Sequence, residues 1–228
     1  MPSWTPTIRR RCSVRSTSRA VTPGNQPHAA VWNLARFAET LLPIIDATAE
    51  RAVELAGEVL ATFAARFSDL SLAGVRRKLG LGTGEDGDAA LAEDLLDAMQ
   101  RNQADFTLTF RRLCEASEGE AGDEGVRTLF ANPREYDEWA ARWRERLARE
   151  PLEPRARAEA MRQINPAFIP RNHRIEQVIT AAVEGQDFEP FAKLSAVLSQ
   201  PYASREGFES YADPPQPGER VLQTFCGT

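Results

Sequence analysis

The side chains best suited to metal or redox chemistry are two histidines and three cysteines. His28 and His173 lie far apart in the sequence, and no cysteine stands near either one at the spacing of a zinc site. Cys12, Cys114 and Cys226 are too few and too scattered to form a disulfide framework. These residues predict no metal site and no set of disulfides, and the expected environment is a reducing compartment.

Glycines and carboxylates form a second group of candidates. Gly80, Gly82, Gly84 and Gly87 lie close together, but no lysine follows them and no strand precedes them, as a phosphate-binding loop requires. We interpret them as a flexible turn between helices. The acidic cluster at 115–124 is interrupted by glycines and lacks the regular spacing of a calcium loop, so a solvated loop is favoured over a metal site.

The composition indicates a globular protein with an acidic body. With 228 residues the chain is long enough for one large helical domain or two small ones. Its content of 42% hydrophobic and 27% charged residues is typical of a globular protein. The net charge is −5, yet residues 1–22 hold five arginines and no acid. The rest of the chain is therefore strongly acidic, which argues against nucleic acid as a partner. No apolar run reaches the roughly 18 to 20 residues of a membrane helix, so no membrane partner is expected.

Apolar residues recur every three or four positions along most of the chain, which predicts helices. Pro43 is expected to end the first helix, and Asp46 and Asp187 are predicted N-caps. No segment alternates in the manner of a strand, apart from a weak hint at 221–225. Prolines predict that 201–218 runs extended over the surface. The predicted helical stripes cover 30–42, 46–67, 91–99, 106–113, 136–147, 175–183 and 188–198.

The stretch from Asn165 to Glu176 reads NPAFIPRNHRIE and resembles the NPxxIPRNHxxE motif of the selenoprotein O family, also called YdiU or UPF0061. Further family stretches resemble GNQP at 24–27, WNLAR at 32–36, KLGL at 78–81, and DFT at 105–107 with FR at 110–111. The ending, YADPP at 211–215 followed by TFCGT, resembles the family's C-terminus. The residues of this chain that match the motif and are candidate site residues are Asn165, Pro166, Pro170, Arg171, Asn172, His173 and Glu176.

The resemblance implies a mainly α structure, namely the C-terminal helical lobe of a protein-kinase-like fold whose N-lobe is missing. It implies a protein adenylyltransferase that transfers AMP from ATP, with Mg²⁺ or Mn²⁺, to Ser, Thr or Tyr of protein substrates. The family's nucleotide, metal and catalytic residues precede the GNQP stretch. We therefore assign no catalytic, cofactor-binding or metal residue here and expect this chain to be inactive. The alternative is a non-catalytic helical module that binds a protein.

The resemblance also divides the chain. Residues 24–200 correspond to the helical lobe and 201–228 to a Pro-rich tail, while residues 1–23 match nothing in the expected frame. Read in a shifted frame, permitted codons from Trp4 through Thr22 spell a segment that resembles the family stretch preceding GNQP, which favours a frameshift and a disordered segment over 1–23. A mitochondrial transit peptide is the alternative interpretation. The expected protein is a monomer in the bacterial cytoplasm.

Several motif residues have two possible roles. Arg171, Asn172 and His173 could orient a substrate or the activation segment, or they could begin a helix, with Asn172 as its N-cap and Glu176 in its first turn. Cys226 occupies the position of selenocysteine in eukaryotic relatives and is a candidate redox residue. In some family members the terminal cysteine pairs with a cysteine of the activation loop, for which only Cys12 is available here. Cys114 lies in an apolar stripe and is predicted to be buried.

Overall fold

The computed structural model describes residues 26–221, which form ten α-helices, three short 3₁₀ helices and no strand. The prediction of a mainly α structure is therefore confirmed. Among these residues no helix has the length and apolar character needed to cross a bilayer. The helices are α1 (Gln26–Ile45), α2 (Ala49–Ala61), α3 (Phe63–Lys78), α4 (Asp88–Asn102), α5 (Phe106–Ala116), α6 (Asp123–Arg127), α7 (Pro133–Leu147), α8 (Pro154–Arg162), α9 (Asn172–Gly185) and α10 (Glu189–Leu198).

The main hydrophobic core lies among α4, α5 and α7 and is organised around two tryptophans. The rings of Trp139 and Trp143 stack with their centroids 5.2 Å apart, and both side chains are fully buried. Each indole N–H donates to a backbone carbonyl, Trp139 to Leu91 at 2.8 Å and Trp143 to Leu79 at 2.9 Å. The aromatic stripe of α7 thus supplies buried area and also fixes the ends of two neighbouring segments.

A buried ionic network fastens the turn between α3 and α4 to the end of α7. Asp88 accepts hydrogen bonds from Arg146 Nε at 2.8 Å and from Arg76 Nε at 2.7 Å. Arg146 also donates to Glu150 at 2.7 Å and to the carbonyl oxygen of Thr83 at 2.8 Å. Because every charge in this network has an opposite partner, the arginine is tolerated in the interior.

The first three helices pack much less densely. Among the described side chains of residues 27–78, Ala52 alone is buried. The expectation that Pro43 ends α1 is wrong, since the helix continues for two residues beyond it. Proline there removes only one backbone hydrogen bond of the last turn, so the helix is interrupted little.

The start and continuity of the second predicted helix also differ from the prediction. Thr48 rather than Asp46 holds the N-cap position of α2, and Asp46 instead accepts from the backbone N–H of Thr48 at 2.7 Å. The single stripe predicted over 46–67 is divided at Thr62. Its hydroxyl donates to the carbonyl oxygen of Val59 at 2.8 Å, a local bond that competes with the regular helical pattern.

Most of the other predicted helices agree with the structure. The stripes at 91–99, 106–113, 136–147 and 175–183 fall within helices, and the stripe at 188–198 begins one residue before α10. Pro133 is a first-turn residue of α7. Phe188 holds the N-cap position of α10, but the Asp187 carboxylate does accept from the N–H of Glu189 at 2.9 Å. The acidic cluster is not wholly solvated, because Asp123 is buried and accepts from Tyr136 Oη at 2.6 Å.

The segment after α10 packs more closely than an extended tail would. Residues 201–221 include 3₁₀ helices at Glu209–Tyr211 and Pro217–Glu219. Phe208 and Tyr211 pack against a second small core formed by Ala167, Phe168 and Val197. Prolines favour an extended backbone, but the burial of Phe208 and Tyr211 against this core favours a folded turn and outweighs that preference.

Candidate functional site

The motif residues lie on the connection between α8 and α9 and on the first turns of α9. This connection is anchored by the turn after α10, where the carbonyl oxygen of Pro201 accepts from the backbone N–H groups of Ala167 at 2.8 Å and Phe168 at 3.0 Å. Pro166 is half-buried beside Asn165, and Pro170 is exposed. The two prolines restrict the backbone of the connection, which has no regular structure of its own.

Asn165 is fully buried and joins three distant parts of the chain. Its Nδ2 donates to the carbonyl oxygen of Lys78 at 2.9 Å, and its Oδ1 accepts from Lys78 Nζ at 3.3 Å. Arg111 Nη1 donates to the backbone oxygen of Asn165 at 2.9 Å, while its Nη2 donates to Ser204 Oγ at 2.7 Å. Burial lowers the pKa of Lys78. The amide and the two cations therefore fix the end of α3, α5 and the tail relative to one another.

Cys114 lies directly behind Asn165. It is completely buried, as predicted, and its Sγ lies 3.7 Å from Asn165 Nδ2. Burial raises the pKa of the Cys114 thiol, so the thiolate is disfavoured at neutral pH. Cys114 therefore behaves as a small hydrophobic residue in this position.

Arg171 forms a two-pronged ion pair with Asp105. Its Nη1 and Nη2 donate to Asp105 Oδ2 and Oδ1 at 2.8 and 3.0 Å. Asp105 is also the N-cap of α5, where Oδ1 accepts from the N–H of Leu108 at 2.8 Å. Burial alone would raise the pKa of Asp105, but the hydrogen bonds from Arg171 and Leu108 outweigh it and hold the pKa below its ordinary value. This pair ties the motif to the start of α5.

The expected N-cap of α9 is incorrect by one residue. Arg171 occupies the N-cap position with extended backbone angles (φ −74°, ψ 132°), and its side chain makes no capping bond because it reaches away to Asp105. Asn172 is instead the first residue of α9, and both Asn172 and Glu176 are exposed. Neither side chain makes a hydrogen bond within the described residues that would fix its role.

His173 is the motif residue whose surroundings leave its chemistry open. It is 3% exposed, and neither ring nitrogen has a hydrogen-bond partner among residues 26–221. The ring borders a cavity of about 450 Å³ that is also lined by Glu176, Gln177, Thr180 and Glu219. Burial and the charge of Arg174 lower the pKa of His173, while the charge of Glu219 opposes them. The imidazole is therefore neutral near pH 7.

The lowered pKa of His173 predicts a loss of stability in mild acid. The unfolded chain binds a proton near the ordinary value of 6.5, whereas the folded chain binds it only at lower pH. The contribution of His173 is thus complete above about pH 6.5 and is lost as the pH falls below that value. We expect His173→Gln to lose less free energy of unfolding than the original chain between about pH 7.5 and pH 5, measured by urea titration.

This pH window separates His173 from the carboxylates, whose ordinary pKa values of 3.8 and 4.5 lie below it. Glu150→Gln serves as a control. The depressed pKa of the Glu150 carboxyl affects stability only below this window, so this variant should keep the pH dependence of the original chain between pH 7.5 and pH 5. Parallel pH profiles for the original chain and His173→Gln would contradict the prediction.

The described residues do not form a site that fits ATP and a divalent metal. The backbone N–H groups of Gly82 and Thr83 could hold a phosphate, but they donate to the Glu150 carboxylate at 3.0 and 3.2 Å, and Thr83 Oγ1 donates to it at 2.6 Å. Within residues 26–221 no three His, Cys, Asp or Glu side chains lie close enough to hold a metal ion. The glycine-rich turn thus binds a carboxylate of its own chain.

Several predictions fall on residues outside the described range. These are the redox role of Cys226, the frameshift and disorder of 1–23, the weak strand hint beyond Val221, and the first half of the GNQP stretch. Cys12 also lies outside this range. The sequence did not identify Lys78, Asp105 and Arg111 as partners of the motif. A signal was present, since all three belong to other stretches that resemble the same family.

Comparisons with known proteins point to the same family that these motifs resemble. The family model described as "Protein adenylyltransferase SelO" matches residues 14–199. The chain is 58% identical over 204 residues to a protein of Bradyrhizobium sp. (strain BTAi1) and 57% identical to one of strain ORS 278, each named "Protein nucleotidyltransferase YdiU". A relative of the same name from Rhodopseudomonas palustris (strain BisB5) is 52% identical over 205 residues.

These matches cover 90% of this chain but only 41 to 42% of each relative. The chain therefore spans less than half the length of the curated relatives that it matches. At this identity, and with the family model covering most of the described residues, the chain belongs to the SelO family of protein adenylyltransferases.

Proposed function

We propose that this chain is the C-terminal part of a protein nucleotidyltransferase that transfers AMP from ATP to Ser, Thr or Tyr hydroxyls of other proteins. The observation that carries the proposal is the 58% identity to a relative named for protein nucleotidyl transfer. The described residues would form the helical lobe of a protein-kinase-like fold, with 201–228 as its tail. The mainly helical structure and the packing of α4–α8 into one core support this interpretation.

In this proposal the chain itself is inactive. The groups that would hold ATP and Mg²⁺ or Mn²⁺ lie in the part of the relatives that this chain does not match. The occupation of the glycine-rich turn by Glu150 supports this division of roles. The bacterial origin of the relatives supports a cytoplasmic rather than a mitochondrial location, and protein substrates are the proposed partners of the complete enzyme, which we expect to be monomeric.

A chimera tests this proposal. In the BTAi1 relative, the matched 204 residues are replaced by the corresponding residues of this chain. We expect the chimera to transfer labelled AMP from ATP to protein at a rate within about tenfold of the relative, because 58% identity preserves the packing that positions the upstream groups. This chain alone, titrated with ATP and Mg²⁺ in a calorimeter, is expected to give no binding heat.

Each result has a contrary outcome. Micromolar ATP binding by this chain alone would contradict the assignment of the nucleotide site to the unmatched part. A folded but inactive chimera, beside an active relative, would contradict the transferase proposal. It would favour the second candidate, a non-catalytic helical module that binds a protein, for which the exposed apolar surface of the first three helices is the supporting observation.

A further inference from the structure

Lysine is rare in this chain, and its two lysines have very different surroundings. Of the 28 lysines and arginines, Lys78 and Lys193 are lysines and all the others are arginines. Lys193 is exposed on α10, and its Nζ forms an ion pair with Glu189 at 2.6 Å. Lys78 is the last residue of α3 and is half-buried. The two amines therefore differ in both burial and charge partner.

No side-chain carboxylate balances the charge of Lys78. Its Nζ takes part in no ion pair among residues 26–221, and the segments outside this range contain no aspartate or glutamate. Nζ donates instead to the amide oxygen of Asn165 at 3.3 Å and lies 5.5 Å from the centroid of the Phe110 ring. The ring favours an ammonium only weakly. The amide oxygen accepts from an ammonium or from a neutral amine, so deprotonation leaves this contact in place.

These surroundings favour the neutral amine, which is the nucleophilic form of lysine. Burial lowers the pKa of Lys78, and Cys114 opposes this effect only in part. The hydrogen bond to Glu189 raises the pKa of Lys193. At any pH below both pKa values, a larger fraction of Lys78 is therefore ready to attack an electrophile. An arginine could not take this role, because its guanidinium stays protonated.

We propose that Lys78 is the preferred acylation site of this chain, at which its amine reacts with small acyl donors of the acyl phosphate class. The lone pair of Nζ attacks the carbonyl carbon and a C–N bond forms. The bond between that carbon and the phosphate oxygen breaks, phosphate leaves with the electron pair, and the amine proton passes to water. The product is an uncharged amide. This inference does not depend on the proposed transfer of AMP.

Acylation of Lys78 alters how the family motif is anchored. The Nζ that donates to Asn165 becomes a secondary amide, and the acyl group that it carries needs space beside the fully buried Asn165 side chain. The contact between Nζ and Asn165 Oδ1 is therefore lost, while Asn165 Nδ2 can keep its bond to the carbonyl oxygen of Lys78. The expected effect is a looser connection between α3 and the segment 165–170.

Competition between the two lysines of one molecule tests the proposal. The chain is incubated with acetyl phosphate at pH 8 and cleaved at arginine, and mass spectrometry follows the acetylation rate of each lysine. We expect Lys78 to react at least about threefold faster than Lys193, because more of its amine is neutral. In concentrated urea both surroundings are lost, and the two rates should agree within about twofold.

An equal or faster rate at Lys193 in the folded chain would overturn the proposal. A preference for Lys78 that persists unchanged in urea would overturn it as well, since the preference would then come from the neighbouring sequence and not from the fold.

The effect on the motif has its own measurement. Hydrogen exchange in 165–170 is compared for Lys78→Gln, which imitates the uncharged amide, and Lys78→Arg, which keeps a cation. We expect exchange about fivefold faster in Lys78→Gln, because the contact with Asn165 is weakened. Lys193→Gln is the matched control and should exchange like the original chain. Equal exchange in the two Lys78 variants would contradict the looser connection.

Discussion

Replacing Asp88 with alanine is expected to lower the free energy of unfolding by about 3 to 5 kcal/mol, because it removes one partner of a buried ion pair. The Asp88 side chain is almost completely buried and accepts from Arg146 and Arg76 as well as from the backbone N–H of Glu85. Without it, the buried Arg146 loses the partner of its Nε and keeps Glu150 at 2.7 Å and Glu85 at 3.3 Å as carboxylate partners, and the turn before α4 loses its anchor. Urea unfolding at pH 7, followed by the fluorescence of the buried Trp139 and Trp143, measures the change.

Asp94 on the same helix provides a matched control. It pairs with Arg142 at 2.6 Å, but both side chains are about half exposed, so Asp94→Ala should cost no more than about 1 kcal/mol. If the two alanine substitutions have equal effects, the interior network around Arg146 does not stabilise the fold in the way that its geometry indicates.

Asp105→Ala is expected to cost about 3 kcal/mol in total. About 1 kcal/mol comes from the lost N-cap of α5, and the rest comes from leaving the guanidinium of Arg171 without a carboxylate. Asp105→Asn keeps an acceptor for the N–H of Leu108 and should lose less. Guanidinium chloride unfolding of Asp105→Ala, Arg171→Met and the double variant gives the coupling between the two residues.

A coupling of about 1 to 3 kcal/mol is expected, since the two side chains are in direct contact. That outcome would assign Arg171 a structural role in holding the motif against α5. A coupling near zero would contradict it, and the alternative that Arg171 is retained to orient a substrate would then gain support.

The helices were largely predictable because their signal is local. The stripes on α4, α5 and α7 follow from the spacing of apolar residues within each segment, and Asp105 and Pro133 stand where helix starts require them. The exceptions have local causes as well. Helix α8 was missed because its sequence, PRARAEAMR, has too few apolar residues to show a stripe, although Ala158 and Met161 are fully buried.

The contacts of the motif could not be predicted in the same way. Asn165 bonds to Lys78 and Arg171 to Asp105 across separations of 87 and 66 residues, and no periodicity within either segment records such a pairing. Both residues of each pair lie in stretches that resemble the same family, but that resemblance does not indicate that the two residues are in contact. The surroundings of His173 could not be predicted from the sequence either, because the cavity that it borders is also lined by Glu219, which belongs to the tail.

The uneven distribution of buried residues has a consequence for synthesis on the ribosome. The segment up to Lys78 leaves the ribosome first, but the large core cluster begins at Leu79 and needs α7, which ends at Leu147. At roughly 5 to 20 residues per second, the ribosome takes on the order of 3 to 14 s to add that stretch. During this interval the nascent chain presents the apolar side chains of α1 and α2, and because neither helix contributes a residue to the core cluster, these side chains remain exposed after the cluster has formed.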